Sequence, residues 1–175
     1  GTVRVISARM DYWPAAARTA DAVLQDPVLA YLSRYALGRD YHKLIRARLQ
    51  KLATRIETVT GPFGYRAFTD SAPVLEKALA ARAGLGWIGK HTNLINEQAG
   101  SWFFIGELYT NLPLPADGAA TNRCGTCRSC IDACPTGAIV APYELDARLC
   151  ISYLTIELRG TIPERLRPLI GNRVY

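Results

Sequence analysis

At 175 residues the chain has room for one ordinary domain with a buried core, or for a larger domain with a small appendage; two full domains would be a squeeze. Its 49% hydrophobic and 21% charged residues are the balance of a globular protein rather than a disordered or fibrous one, and no stretch approaches the roughly 18 uninterrupted apolar residues of a membrane span. The formal charge of +6 leaves an anionic partner and a merely solubilising basic surface equally open.

The first residues lack both the basic start and the apolar run of a secretory signal, so export is not indicated, and the missing initiator Met suggests a fragment. Val3 to Ala8 reads as a strand, followed by a Pro-containing loop at Asp11 to Pro14. Asp26 and Pro27 read as a helix start, Asp26 as cap and Pro27 in the first turn. Leu29, Leu32, Tyr35 and Ala36, then Leu44, Ile45, Leu49, Leu52, Ala53 and Ile56, recur at helical spacing, so one or two amphipathic helices are expected, with Gly38 as a break. Arg34, Arg39, Lys43, Arg46, Arg48, Lys51 and Arg55 crowd this stretch. Gly61 to Gly64 is a turn, Tyr65 to Phe68 a short strand, and a helix is expected from Pro73 through Ala83, ending at Gly84. Gly84, Gly86 and Gly89 lack dinucleotide-binding spacing. Thr92 to Asn96 and Ser101 to Tyr109 are β-rich, and Glu97 to Gly100 between them suggests a hairpin. Asn111 to Asn122 reads as a linker; beyond the cysteine run, a helix is expected within Tyr143 to Arg159 and another from Ile162-Pro163-Glu164.

Five cysteines is an odd count, and four of them fall within eleven positions, which argues for a metal or cluster site in a reducing compartment rather than a disulfide framework. Cys124-Gly-Thr-Cys127-Arg-Ser-Cys130-Ile-Asp-Ala-Cys134-Pro135 has the bacterial-ferredoxin spacing, in which a short bend offers three thiolates to one [4Fe–4S] cube while the fourth points elsewhere. A structural zinc site is the bland alternative, but zinc usually takes two separated ligand pairs, often with histidine, and His42 and His91 are far away in sequence. Cys150 is either a spare buried thiol or a ligand of a second site completed from outside the chain.

Asp70-Ser-Ala-Pro-Val-Leu-Glu-Lys77, Ala83-Gly-Leu-Gly-Trp-Ile-Gly-Lys-His-Thr-Asn93, Gly106-Glu107-Leu, the cysteine run and Cys150-Ile-Ser-Tyr-Leu-Thr-Ile-Glu157, with Tyr31-Leu-Ser-Arg-Tyr, resemble the epoxyqueuosine reductase family in order and spacing across essentially the whole chain. The resemblance implies a cobalamin-dependent enzyme that reduces epoxyqueuosine to queuosine in the tRNA anticodon loop. Two [4Fe–4S] clusters, fed by an external donor, pass electrons to the cobalt. It implies Cys124, Cys127 and Cys130 for the first cluster and Cys134 with Cys150 for the second, the remaining ligands lying beyond Tyr175. It also implies Asp70 as the proton donor, with Lys77, His91, Asn93, Tyr31 and Ser152 among cofactor-binding residues, and Tyr12 and His42 as weaker pocket candidates. From the residues alone Asp70 reads first as a helix N-cap beside Ser71 and Pro73; as an acid, its pKa would be raised by an apolar corrinoid face.

The expected fold is α/β (α+β), a mixed-sheet cobalamin-binding body over residues 1–115 with a small ferredoxin-like 4Fe-4S domain over 116–175. The basic stretch from Arg34 to Arg55 is where tRNA phosphates are expected to bind, in a cytoplasmic protein. A ferredoxin-like carrier, a reductive-dehalogenase-like corrinoid enzyme and a zinc-stabilised nucleic-acid module are the competing readings.

Overall fold

The computed structural model describes residues 1–14, 16–70 and 72–175 and divides into two compact units. Unit 1 comprises residues 1–12, 38–88 and 93–123, and unit 2 comprises residues 13–37, 89–92 and 124–175.

In unit 1, β1 (Arg4–Asp11), β2 (Tyr65–Phe68) and a later strand over Phe103–Thr110 form one sheet, with the last of these in the centre. Both outer strands pair antiparallel to the central one, so they run in the same direction as each other and every pairing is antiparallel. The connection between them is α2 (Tyr41–Thr60), which follows a short α1 (Ala20–Leu24) of unit 2. Asp40 caps α2 by accepting the His42 amide, and Ile45, Leu49 and Ala53, four residues apart, form its buried stripe. The stripe lies against Gly106 on the central strand: a Cβ there would stand 2.7 Å from Ile45 Cγ2, so only glycine lets the helix approach this closely. Gly38, at φ 118, precedes the cap and separates the helix from the chain before it, as its sequence suggests.

The opposite face of the sheet carries α3 (Glu76–Arg82), packed through Ala80 on Leu94 and Phe103. The helix was expected from Pro73. It starts three residues later because Val74 N–H already bonds Ala72 C=O in a tight turn, and the first helical bond runs from Leu79 to Leu75. Ser71 lies outside the described residues. β3 (Trp87–Ile88) and β4 (Leu94–Ile95) pair with each other, and β5 is the central strand, Phe103–Thr110. The expected hairpin between residues 92–96 and 101–109 is therefore reduced to one bridge, Asn96 to Gly100. Gly86, whose backbone sits against the Ile95 carbonyl with no room for a side chain, commits β4 to β3. Asn96 reverses the chain by accepting the Gln98 and Ala99 amides and donating to Leu85 C=O.

In unit 2 the stretch from Leu29 to Ala36 is not the expected amphipathic helix. Asp26 caps a turn by accepting the Val28 amide, Tyr31 bridges Arg173 in parallel, and Arg34–Ala36 forms a single 3-10 turn. The carbonyls of Val23, Asp26 and Leu29 all accept from the Asn172 side-chain amide. Leu29 C=O, which a helix would pair four residues on, is thus taken by a residue more than 140 positions away.

After α4 (Ser129–Asp132), β6 (Ile139–Ala141) and β7 (Glu144–Leu145) form a hairpin, and the helix expected within residues 143–159 follows it. The helical stretch begins only after Cys150 and ends in π spacing at Tyr153–Glu157. Its Leu154 packs on Leu166 and on Ile170 of α5 (Arg167–Ile170), which makes the unit's own small core. Both helices and sheets are present, as the α+β expectation requires, but the sheet of unit 1 is antiparallel rather than mixed, because the central strand returns between two outer strands that run the same way. No described helix is long and apolar enough to cross a membrane.

Candidate functional site

Unit 1 gathers an acid cluster at the start of α2. Thr69, 1% exposed, fixes the end of β2 by donating to Ile105 C=O, and the next residue, Asp70, turns into the left-handed region at φ 52. Its Oδ2 accepts from the Tyr41 hydroxyl at 2.6 Å and lies 2.9 Å from His42 Nε2. His42 Nδ1 is 2.9 Å from Asp40 Oδ1. Asp70 therefore does not cap α3, and its carboxyl faces α2 instead.

The proton in this cluster can be placed. Both neighbours of the His42 ring are carboxylates, which only accept when ionised, so each ring nitrogen must carry a hydrogen. His42 accordingly has a raised pKa: burial opposes the charge, but the bonds to Asp70 and Asp40 outweigh it. Asp70 is lowered, mainly by the Tyr41 hydroxyl, with burial opposing and His42 assisting. Asp40 is lowered by His42. In this structure hydrogen-bond donors surround the Asp70 carboxyl and hold it below the usual carboxylate range, and the proton is stored on His42.

The cluster continues into a stack of rings. His42 lies on Tyr41 at 4.0 Å between centroids, Tyr41 on Phe104 at 4.0 Å, and Phe104 beside Tyr12 at 4.7 Å. Beneath the Asp70 loop, Glu76 accepts the Asp70 amide and meets Glu107, which is completely buried on β5.

In unit 2 the cysteine run folds as a tight bend and a short helix. Cys127 N–H bonds Cys124 C=O at 2.9 Å, Gly125 sits at φ 43, and Cys130 lies on α4. Lys90 Nζ ties the bend together, donating to Gly125 C=O at 2.7 Å and Cys127 C=O at 2.8 Å. The Cys127 thiol is lowered chiefly by the Ser129 hydroxyl. Burial pushes the Cys134 thiol up, but Thr136 and the amides of Ala138 and Ile139 bring it down overall. Thiols biased toward thiolate and ringed by hydroxyl and amide donors fit iron–sulfur ligation. Among the described residues no three His, Cys, Asp or Glu side chains converge as on a single metal ion. Cys150 is half-buried and accepts the first bond of the helix that follows, from Leu154.

The other residues singled out from the sequence divide between the two units. Lys77 lies exposed on α3 and Asn93 exposed just before β4, both in unit 1. His91, half-buried in the turn after β3, Tyr31 on its bridge to Arg173, and exposed Ser152 all belong to unit 2. Sequence reasoning missed Tyr41, Asp40, Glu76, Glu107 and Lys90. Glu107 carried a readable signal, a lone acid within an apolar strand; Lys90 carried none beyond its place between Gly89 and His91.

A ferredoxin-type thiol bend in unit 2, with an acid cluster in unit 1, is the make-up of an iron–sulfur protein. Residues 1–71 match the family described as Epoxyqueuosine reductase QueG, DUF1730, and residues 123–175 match the 4Fe-4S double cluster binding domain. The epoxyqueuosine reductase of Pseudomonas aeruginosa is 65% identical over the whole of this chain, which covers 48% of that protein. The structure of epoxyqueuosine reductase from Streptococcus thermophilus superposes with a TM-score of 0.84 at 32% identity, over 98% of this chain and 45% of that one. A crystal structure of epoxyqueuosine reductase with an epoxyqueuosine-modified tRNA-Tyr stem loop superposes at 0.82 with 31% identity, over 98% and 45%. The Bacillus subtilis enzyme, captured with its catalytic aspartate loop swung out of the active site, superposes at 0.80 with 30% identity, over 98% and 44%. The chain belongs to the epoxyqueuosine reductase family, and it spans about half the length of the curated relatives it matches.

Proposed function

We propose that the full-length protein reduces epoxyqueuosine to queuosine in the anticodon loop of a tRNA, with Asp70 as the acid. The observation that carries this is the Asp70 carboxylate, held by Tyr41 and backed by a protonated His42. The relatives' activity and the tRNA stem loop bound to one of them supply the substrate class. Neither a carrier nor a zinc module needs a stored proton beside an exposed carboxylate.

Removing the oxygen of an epoxide to leave an alkene consumes two electrons and two protons and releases water. The protons fall to this chain's residues. His42 can pass its stored proton from Nε2 to the Asp70 carboxylate, which, with its side chain 56% exposed, can present it to the departing oxygen and relay the second proton from solvent, while Asp40 holds the ring in place from Nδ1. Tyr41 fixes the carboxyl's orientation. The family's cobalamin fits this surroundings: stacked rings of Tyr12, Phe104 and Tyr41 offer an apolar flank beside the acid. Cobalamin, when bound, supplies the reducing cobalt, with electrons from [4Fe–4S] clusters and an external donor upstream.

The resemblance, rather than geometry, carries the remaining assignments. These are Lys77 and Asn93 in unit 1, and separately Tyr31, His91 and Ser152 in unit 2, as cofactor-binding residues. Cys124, Cys127 and Cys130 belong to one cluster, and Cys134 with Cys150 to another. A catalytic domain over 1–115, a ferredoxin-like domain over 116–175 and a cytoplasmic location complete the proposal; the positions of the two family matches support the division.

The test is turnover of an epoxyqueuosine-containing stem loop by anaerobically reconstituted full-length protein. Asp70→Ala is expected to lower the rate about 10²–10⁴-fold with iron content unchanged. A near-normal rate would remove Asp70 from the mechanism, and a parent protein that turns over no epoxide would remove the reading itself.

A further inference from the structure

Two carboxyl groups lie directly under the Asp70 loop. Glu107 projects from β5 to the face that α3 covers, the face of Phe103 and Ile105, and it is completely buried. Among the described residues no donor reaches either of its carboxyl oxygens. What it meets is the carboxyl of Glu76 in the first turn of α3, and Glu76 in turn accepts the backbone N–H of Asp70. Two ionised carboxylates would repel at this contact, whereas one proton turns it into a hydrogen bond. Glu107, the more buried, is where that proton sits, leaving Glu76 free to accept from Asp70.

We propose that Glu107, acting through Glu76, is a positioning residue that latches the Asp70 loop: its protonated carboxyl donates to Glu76, and Glu76 holds the Asp70 amide in the left-handed turn that aims the Asp70 side chain at Tyr41 and His42. The chain of contacts is continuous from β5 to the acid. Thr69 anchors the strand end independently, so the latch governs the residues after it. In the Bacillus subtilis relative the catalytic aspartate loop is swung out of the active site, so such a loop has a second position for a latch to act against. The positioning role rests on the proposed role of Asp70 as acid.

The surroundings of Glu107 make the latch sensitive to pH. From β1, Ser7 is its register partner, and Arg9, paired at 3.5 Å with Asp11, lies two residues further on the same face. From β2 come Phe68, its other partner, and Arg66, which lies over the Phe68 ring. From α3 come Glu76 and Arg82, the latter lining with Ser7 a cavity of about 510 Å³. No arginine among these bonds the Glu107 carboxyl. Burial, with Glu76 adding to it, pushes Glu107 up to about 8. Because this value is raised, the latch's contribution is complete in acid and is lost as pH climbs from the ordinary carboxylate range towards about 8.

Amide hydrogen exchange of the segment from Phe68 to Val74 in the full-length protein tests this without turnover, so it separates the latch from the catalytic reading. Corrected for intrinsic exchange, protection of the Asp70 amide is expected to fall about tenfold or more between roughly pH 6 and pH 8, while β5 amides hold steady. Glu107→Gln donates a permanent amide hydrogen to Glu76, and its protection is expected to be flat over the same range. Glu76→Gln is the second variant: its amide oxygen still accepts from Asp70 and its nitrogen donates to Glu107, so it too is expected to be flat. A flat parent overturns the proposal, and so does the parent's slope persisting in whichever variants fold. A slope present in the parent and absent from a folded variant supports it, even if the parent reduces no epoxide.

Discussion

At His42 the two ring nitrogens meet two carboxylates, and this decides the direction of the proton. His42 is raised and Asp40 and Asp70 are lowered, so the ion-paired state persists from below the usual carboxylate range to above the usual imidazole value. As pH falls through the lowered carboxylate values the pairing is lost; as it rises through the raised imidazole value the stored proton leaves. Turnover should therefore decline at alkaline pH with two ionisations, His42 and Glu107. His42→Gln is expected to cost about 10²-fold at neutral pH and to leave the Glu107 ionisation alone, read from the slope of the pH–rate profile. An unchanged two-proton slope would take His42 out of the relay.

The cysteine run was legible as an iron–sulfur motif because its spacing is itself the pattern, whereas the residues around Asp70 suggested only a helix cap, which the structure does not form. Tyr41 and Asp40 were not legible, since the helix start was placed at Asp26, where Pro27 made the stronger local signal. Glu107 illustrates a different limit: sequence shows an acid inside Phe103-Phe-Ile-Gly-Glu107-Leu-Tyr109, but only packing shows that Glu76 waits beneath it.

Elements read well from sequence where a stripe of side chains meets one surface, and badly where a distant chain intervenes. The four-residue recurrence of Ile45, Leu49 and Ala53 specified α2, and β1 and β2 followed from short apolar runs bounded by turn residues. Leu29, Leu32, Tyr35 and Ala36 showed the same recurrence, yet Asn172 captures the Leu29 carbonyl at the head of that stretch and Tyr31 pairs with the segment ending at Tyr175. Local periodicity has no access to such a partner. The contact between α2 and β5 also sets the site, because Tyr41 and His42 are the first residues of that helix. In Gly106→Ala the new methyl would stand 2.7 Å from Ile45 and 3.0 Å from Leu49, and both belong to the helix's buried stripe. The expected cost is about 1–3 kcal/mol in denaturant unfolding. Because the strain pushes on the helix that carries Tyr41 and His42, turnover should fall further than the lost stability accounts for. A variant as stable as the parent would show that the helix has slack.

At the scale of the whole molecule, charge is the property that neither fold nor family match explains. Lys43, Arg46, Arg48, Lys51 and Arg55 all lie exposed on α2, with Glu57 the only acid within the helix. The order of motifs along the chain pointed to a tRNA-modifying family; if this helix meets such a partner, the physics of charge makes phosphates its point of contact. Each phosphate neutralised releases counterions, so the affinity for a stem loop should fall steeply with salt. If all five cations engage single-stranded phosphates, the logarithmic slope is about −3.5, which amounts to about a hundredfold loss between 50 and 200 mM salt. Lys51→Glu together with Arg55→Glu should flatten that slope by about one unit or more and weaken binding of modified and unmodified loops alike, since phosphates carry no information about the base. Lys51 and Arg55 lie near the middle of α2, well away from Asp70 at its N-terminal end, so their reversal should leave the cluster and its pH dependence as they are. A slope that does not change on reversal would move the tRNA footprint off this helix.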